Sequence, residues 1–290
     1  MVIKIFSDTA KLRLLDLDMG LVDEIASHIV VGPKLLFRNE HGIVMEFLNG
    51  RVLTEKDVHT NNHNFQTTFD QRNKQNIVCV SLARKVALLH KQKLPKNTTT
   101  TTTTQTNMLW FTLEKMLASI KSHSTLFPEF NYDLVQKDVQ HMTTVLNELD
   151  LPIVLAHGDL KPSNVMLLNN NNDLTFQMKA HIQCNDIMLI DFELGGYGYR
   201  GFDLCKIFRT KDEVSNKENQ KIFIKNYIQT FHDPQNESCK KTENDDIEIV
   251  WRETRLFEPL TVSLHLFFFF SCSKMVLLLD YIVDFFKKTL

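Results

Sequence analysis

Apolar and polar residues alternate in "VIKIF" (residues 2–6), a β-branched run that predicts a strand. Helical spacing follows in "DMGLVDEIASHIV" (18–30), and "PKLLFRNEHGIVMEFL" (33–48) predicts two short strands around a turn at Asn39 to Gly42. Past Gly50 the pattern changes. In "NKQNIVCVSLARKVALLHKQKL" (73–94), Ile77, Val80, Leu82, Ala83, Val86 and Leu89 predict a long amphipathic helix. Helices are also expected over 107–122 and 131–149. The apolar runs "NVMLL" (164–168) and "IMLID" (187–191) then read as a hairpin whose loop has been stretched, and from about 202 the pattern is helical again, broken by a polar loop near 233–246.

Three biased tracts punctuate these elements: an Asn/His stretch at 61–64, seven threonines from Thr98 to Thr104, and four asparagines from Asn169 to Asn172. They hold no apolar groups for a core and read as expandable loops. No repeat of 20 to 50 residues is visible. Near the end, "PLTVSLHLFFFFSC" and "MVLLLDYIVDFF" are strongly apolar, but Ser273 and Lys274 separate them and Asp280 and Asp284 charge the second run. Each is shorter than the roughly 20 apolar residues of a spanning helix, so two buried helices and no membrane span are expected.

With 290 residues, 43% of them hydrophobic, the chain is long enough for one large domain or two lobes. The formal charge of −2 excludes an overall basic field for nucleic acid. Cys79, Cys184, Cys205, Cys239 and Cys272 are scattered without a C-x-x-C pair, and the start has no secretory pattern. Buried free thiols and a cytoplasmic location are therefore expected.

The candidate chemistry lies in "VLAHGDLKPSNVMLL" (154–168), where His157-x-Asp159-x-x-x-x-Asn164 runs directly into an apolar strand; Asp191, in "LIDFE", follows 27 residues after Asn164. Phosphoryl transfer calls for one carboxylate to orient the attacking hydroxyl, with a carboxylate and an amide oxygen to hold magnesium. Asp159, Asp191 and Asn164 fill these roles. "GGYGYRG" (195–201) also contains Gly196-x-Gly198-x-x-Gly201, the spacing of a dinucleotide fingerprint, which by itself is weak evidence.

"HGDLKPSN" together with "LIDFELGGYGYRGFDL" resembles the choline/ethanolamine kinase family, and the "YRGFD" block (199–203) is the distinctive part: ordinary protein kinases place Gly where Glu193 stands. The resemblance extends through "GPKLLFRNEHGIVMEFLNGRVLTEKDV", "LARKVALLHKQKLP" and "MLWFTLEKML", so it covers most of residues 2–210. It implies a two-lobed, protein-kinase-like α/β fold, with an incomplete small lobe at 1–50 and a mostly helical large lobe at 51–290. It also implies ATP-dependent phosphorylation of the hydroxyl of ethanolamine or choline for phospholipid synthesis. Asp159 would accept the proton, His157 would brace its loop, Asn164 and Asp191 would bind Mg2+, and Glu193 would assist. Lys4 would meet the nucleotide, with Glu46 and Phe47 forming the hinge against adenine. The glycines of 196–201 would then let a loop turn away with positive backbone angles, pinned by Arg200 and Asp203, with Arg200 in a structural ion pair rather than on substrate phosphate.

Departures from the family pattern set further expectations. Only three residues precede Lys4, so the phosphate-covering hairpin has no counterpart, which implies an N-terminally truncated member with weak ATP binding. Gly20 falls where the family carries the glutamate that pairs with the strand cation; Asp16, Asp18 and Glu24 are the available substitutes. Residues 260–275 are rich in Phe267 to Phe270 and lack Trp, a weaker cage for a quaternary amine, which favours ethanolamine over choline. Two alternatives stay open: an aminoglycoside-type phosphotransferase sharing the catalytic loop, and a non-catalytic pseudoenzyme. The residues do not decide whether the chain forms a homodimer.

Overall fold

The computed structural model describes residues 1–6, 19–59, 77–95, 107–122, 125, 130–169, 186–208, 213–232 and 247–258. The predicted hairpin at 33–48 forms β2 (Leu35–Asn39) and β3 (Gly42–Met45). The Asn39 side chain sets the turn, its Oδ1 accepting from the backbone N–H of His41 at 2.9 Å and Gly42 at 3.0 Å. β1 (Val2–Ile5) pairs antiparallel with the other side of β3 in the order β1-β3-β2, with Lys4 opposite Ile43. The alternation of this strand is inverted: Ile3 and Ile5 face solvent, while Lys4 is half-buried.

Helix α1 (Leu21–His28) starts behind Gly20, which sits at φ 75° where a side chain is disfavoured. It buries Leu21, Val22, Asp23 and Ala26. The chain leaving it bonds across to the next sheet through Leu189 N–H to Val31 O at 2.9 Å. That sheet is antiparallel, β4 (Gly50–Val52), β6 (Val165–Leu168) and β7 (Ile187–Leu189), in the order β4-β6-β7. β6 and β7 are the predicted stretched hairpin, paired from Val165↔Leu189 to Leu167↔Ile187. A second antiparallel pair, β5 (Ile153–Ala156) with β8 (Gly196–Tyr199), brings residues 156 and 196 face to face.

The remaining described elements are helical: α2 (Glu55–His59), α3 (Ile77–His90), α4 (Met108–Ser122), α5 (Tyr132–Glu148), α6 (Arg200–Ile207), α7 (Glu213–Phe231) and α8 (Ile247–Leu256). α5 is capped by Asn131, whose Oδ1 accepts from Leu134 N–H at 3.1 Å. α3 departs from the amphipathic expectation. Only Ile77 and Arg84 along it are exposed, and even Lys85 is buried, its ammonium donating to the Val30 carbonyl at 2.5 Å. An aliphatic stem packs in the core while the charged head finds a backbone acceptor, which is why the polar residue misleads the pattern.

One buried cluster joins Val22 and Ala26 of α1 to Leu82 and Val86 of α3, Leu189 of β7, Phe192, and Phe223 and Tyr227 of α7. A second packs α4 and α5 against Tyr199, Phe202 and Phe257. Cys79 and Cys205 are buried thiols outside any disulfide, as expected. No described helix is long and apolar enough to cross a membrane. The apolar runs at 259–286, the polar loop at 233–246 and the homopolymer tracts at 61–64, 98–104 and 170–172 lie outside the described residues.

The glycine motif at 196–201 is not a dinucleotide loop, and of its three glycines only Gly196 has positive φ, at 157° in a strand. Gly196 and Gly198 lie in β8, Gly201 lies in α6, and neither Gly198 nor Gly201 has positive φ. Close approach explains Gly201: a Cβ there would meet the Glu253 carbonyl oxygen at 2.5 Å. Arg200 makes a buried two-pronged pair with Glu253, at 2.9 Å from Nε and 2.7 Å from Nη2, and so bears out the structural ion pair.

Candidate active site

The strand β5 delivers residues 157–161 as a tight loop. Gly158 sits at φ 81°, and a Cβ there would lie 2.1 Å from the Leu194 carbonyl oxygen, so only glycine fits. Beneath the loop, fully buried Asp203 of α6 accepts the His157 N–H at 2.5 Å and the Gly158 N–H at 2.9 Å. Burial pushes the Asp203 carboxyl up, but the His90 hydrogen bond and the backbone donor of His157 act against it, and the group stays below the usual carboxylate range. His90 Nε2 lies 3.2 Å from Asp203, and its Nδ1 lies 2.9 Å from the Tyr227 hydroxyl.

The bonding of His157 fixes its tautomer. Nε2 is 2.9 Å from the Ile190 carbonyl, which can only accept, and Nδ1 is 3.3 Å from the Asp159 N–H, which can only donate. The ring is therefore neutral with its proton on Nε2. Burial holds its pKa below the ordinary histidine value, against the pull of Asp203 and other acids, and the ring lies 4.7 Å from that of Phe192. With both nitrogens committed, it ties the 157–159 loop to the end of β7.

Asp159 projects from this loop with every side-chain oxygen occupied. Oδ1 meets the Lys206 ammonium at 2.9 Å; Oδ2 meets Lys161 Nζ at 2.8 Å and Asn164 Nδ2 at 3.1 Å. Burial raises its pKa, but Lys206 first and Lys161 second outweigh that and hold it well below the ordinary range. Asn164 stands in a single 3-10 turn, Pro162–Asn164, and its carbonyl accepts from Ile190 N–H at 2.9 Å. That bond sets Asn164 beside Asp191.

Asp191 occupies the left-handed region at φ 68°, a rare conformation for a non-glycine residue. Its Oδ1 pairs with the Lys4 ammonium, which also lies 3.7 Å from Glu193 Oε2. Two carboxylates thus share one cation, and the oxygen donors of Asp191, Glu193 and Asn164 suit a hard divalent ion. The fold brings His157, Asp159, Asn164, Asp191, Glu193 and Lys4 to one place. Glu46 and Phe47 lie on the segment between β3 and β4. Glu46 Oε1 accepts from Lys34 N–H at 2.9 Å, and Phe47 is exposed.

Three residues of the site escape the sequence reading. Asp23 of α1, not Gly20 or Glu24, is the buried carboxylate coupled to Lys4: burial raises its pKa to about 6, Lys4 opposes the rise, and Asp191 and Glu193 add to it. Glu24 instead pairs with Arg38 at 2.8 Å, and Asp16 and Asp18 lie outside the described residues. The available signal is an acid between Val22 and Ala26 on the buried face. Lys161 and Lys206 are the others, the first two residues beyond Asp159 and the second one turn beyond Phe202 on α6.

The family model for choline/ethanolamine kinase matches residues 2–285. The chain belongs to this family. Among curated relatives it is 26% identical over 212 residues to a probable ethanolamine kinase of Arabidopsis thaliana, covering 68% of this chain and 47% of that protein. It is 27% identical over 169 residues to a choline/ethanolamine kinase of Rattus norvegicus, covering 51% and 39%. The chain thus spans about half the length, or less, of these relatives. Among solved structures, a Plasmodium vivax ethanolamine kinase superposes with a TM-score of 0.63 at 17% identity, covering 99% of this chain and 77% of that one. A choline kinase of Cryptosporidium parvum gives 0.55 at 16%, covering 99% and 80%, and an aminoglycoside phosphotransferase bound to streptomycin and ATP gives 0.55 at 12%, covering 97% and 84%. The fold is the protein-kinase-like one.

Proposed function

We propose that this chain carries the phosphoryl-transfer centre of an amino-alcohol kinase, which moves the γ-phosphoryl group of ATP to the hydroxyl of ethanolamine or choline, with ethanolamine preferred. The observation that carries this reading is the convergence of Asp159, Asn164 and Asp191 from two loops joined by Ile190 N–H to Asn164 O and by His157 to the Ile190 carbonyl. Asp159 receives the hydrogen bond of the acceptor hydroxyl and aims its oxygen. His157 braces the loop that carries Asp159. Asn164 and Asp191 hold Mg2+, with Glu193 beside them, and the ion when bound neutralises polyphosphate charge. Lys4 turns from Asp191 to the nucleotide phosphates, Asp23 orients it, and Glu46 and Phe47 border adenine.

In the transfer, the bond between acceptor oxygen and γ-phosphorus forms, the bond from γ-phosphorus to the β–γ bridging oxygen breaks, and the hydroxyl proton leaves through Asp159 to solvent. A carboxylate held well below the ordinary range is a weak proton acceptor, so Asp159 acts mainly by orientation, accepting the proton late. We assign residues 1–50 to the nucleotide-binding lobe and 51–290 to the large lobe, a division supported by the pairing of β4 with β6. The reading places the enzyme in the cytoplasm, where its product enters phospholipid synthesis.

The test is steady-state ADP release with Mg-ATP and ethanolamine, choline or an aminoglycoside in parallel. Amino-alcohol-dependent release that falls at least about a hundredfold in Asp159→Asn supports the reading. Release stimulated only by the aminoglycoside would move the chain to the other phosphotransferase class.

A further inference from the structure

Lys206 has no part in the family pattern quoted above, yet it touches the candidate catalytic carboxylate. Its ammonium is 2.9 Å from Asp159 Oδ1 and 3.1 Å from the Gly158 carbonyl, and it lies over the Phe202 ring at 4.9 Å from the centroid. Three contacts from three directions fix a side chain that is only 15% exposed. Lys161 approaches the other oxygen of the same carboxylate. Asp159 therefore faces the acceptor with two cations already on it.

Resting on the amino-alcohol reading, we propose that Lys206 is a specificity-determining residue of the acceptor site, weakening the binding of acceptors whose cation lies next to the hydroxyl while placing a positive charge beside the transferring phosphoryl group. The argument is one of position. An acceptor hydroxyl must come within about 2.6–3.2 Å of Asp159 to be oriented by it. The ammonium of ethanolamine is two carbons from its hydroxyl, so it arrives well inside the ~8 Å over which salt leaves charges unscreened from the Lys206 ammonium. The γ-phosphoryl oxygens reach the same neighbourhood from the other side of the hydroxyl, and there the charge attracts.

The two consequences have opposite signs in one variant. Lys206→Met keeps the length of the side chain and its contact with Phe202 but removes the charge. It is expected to bind ethanolamine about tenfold more tightly, the scale of one like-charge contact in a half-screened cleft. Ethylene glycol, the uncharged isostere, should bind within about twofold of wild type. Turnover should fall about tenfold, so KM and kcat drop together, and Lys206→Arg should restore both. A lysine that merely braced the loop would instead lose stability and bind both acceptors less well.

The experiment is an NMR chemical-shift titration of the nucleotide-free wild-type, Lys206→Met and Lys206→Arg proteins with ethanolamine and with ethylene glycol, followed by steady-state kinetics. Tighter ethanolamine binding confined to Lys206→Met is the expected result. Unchanged or weaker ethanolamine binding in Lys206→Met, an equal gain for both acceptors, or no ethanolamine binding to any of the proteins overturns the proposal. The titration needs no turnover, so a chain that binds as expected and releases no ADP fails the phosphotransfer reading alone.

Discussion

Gly158 and Asp203 act as a pair at the scale of single residues. One permits the backbone turn and the other receives the two N–H groups which that turn exposes. Gly158→Ala is expected to cost about 1–3 kcal/mol in backbone conformation alone, and relief of the contact with Leu194 displaces Asp159. Such a displacement lowers turnover about a hundredfold; parallel measurement of kcat and melting temperature checks this. Asp23 provides a pH signature. Its pKa is about 6 in the fold against 3.8 ordinarily, so the folded state binds more protons than the unfolded chain between these values. The stability it contributes is fully present below about pH 4 and is lost as pH rises through about 6. In metal-free buffer, the advantage of Asp23→Asn over wild type should therefore grow by roughly 2 kcal/mol between pH 4 and 7, as read from urea midpoints; a constant difference contradicts the assignment.

Periodicity makes most of the described elements legible, and chemistry decides where it does not. β1, the β2–β3 and β6–β7 hairpins, α1 and α3 to α5 stand where apolar spacing puts them, although β1 turns its isoleucines to solvent and α3 is buried on nearly every side. Spacing predicts a polar face for α3, but α7 covers that side and Lys85 hides its charge against a carbonyl. Since α3 is buried nearly all round, Leu82→Ala should destabilise by about 2–5 kcal/mol, measured by urea denaturation, with no effect on acceptor preference. Residues 196–201 mislead because glycine-rich sequence signals a turn, whereas Gly201 makes room for the Glu253 backbone in a helix and Gly198 packs close to the Ala156 side chain in a strand. The candidate catalytic loop is legible because phosphoryl transfer calls for its residue types. Asp23, Lys161 and Lys206 are not, because each belongs to the site only through contacts between distant segments.

At the scale of the whole molecule, the strand cation, the loop after β5 and the turn after β7 meet because α1 packs onto the central cluster and residue 31 bonds to β7. On that arrangement rests the proposal that one centre at Asp159, Asn164 and Asp191 transfers a phosphoryl group to an amino alcohol. ADP release alone does not separate transfer from hydrolysis, so the direct measurement is phosphorus NMR of the chain with Mg-ATP and ethanolamine. A new phosphomonoester resonance, co-migrating with phosphoethanolamine and absent in Asp159→Asn, is the predicted result. Inorganic phosphate alone, or an unchanged ATP spectrum, would contradict the claim that this chain is the phosphotransferase.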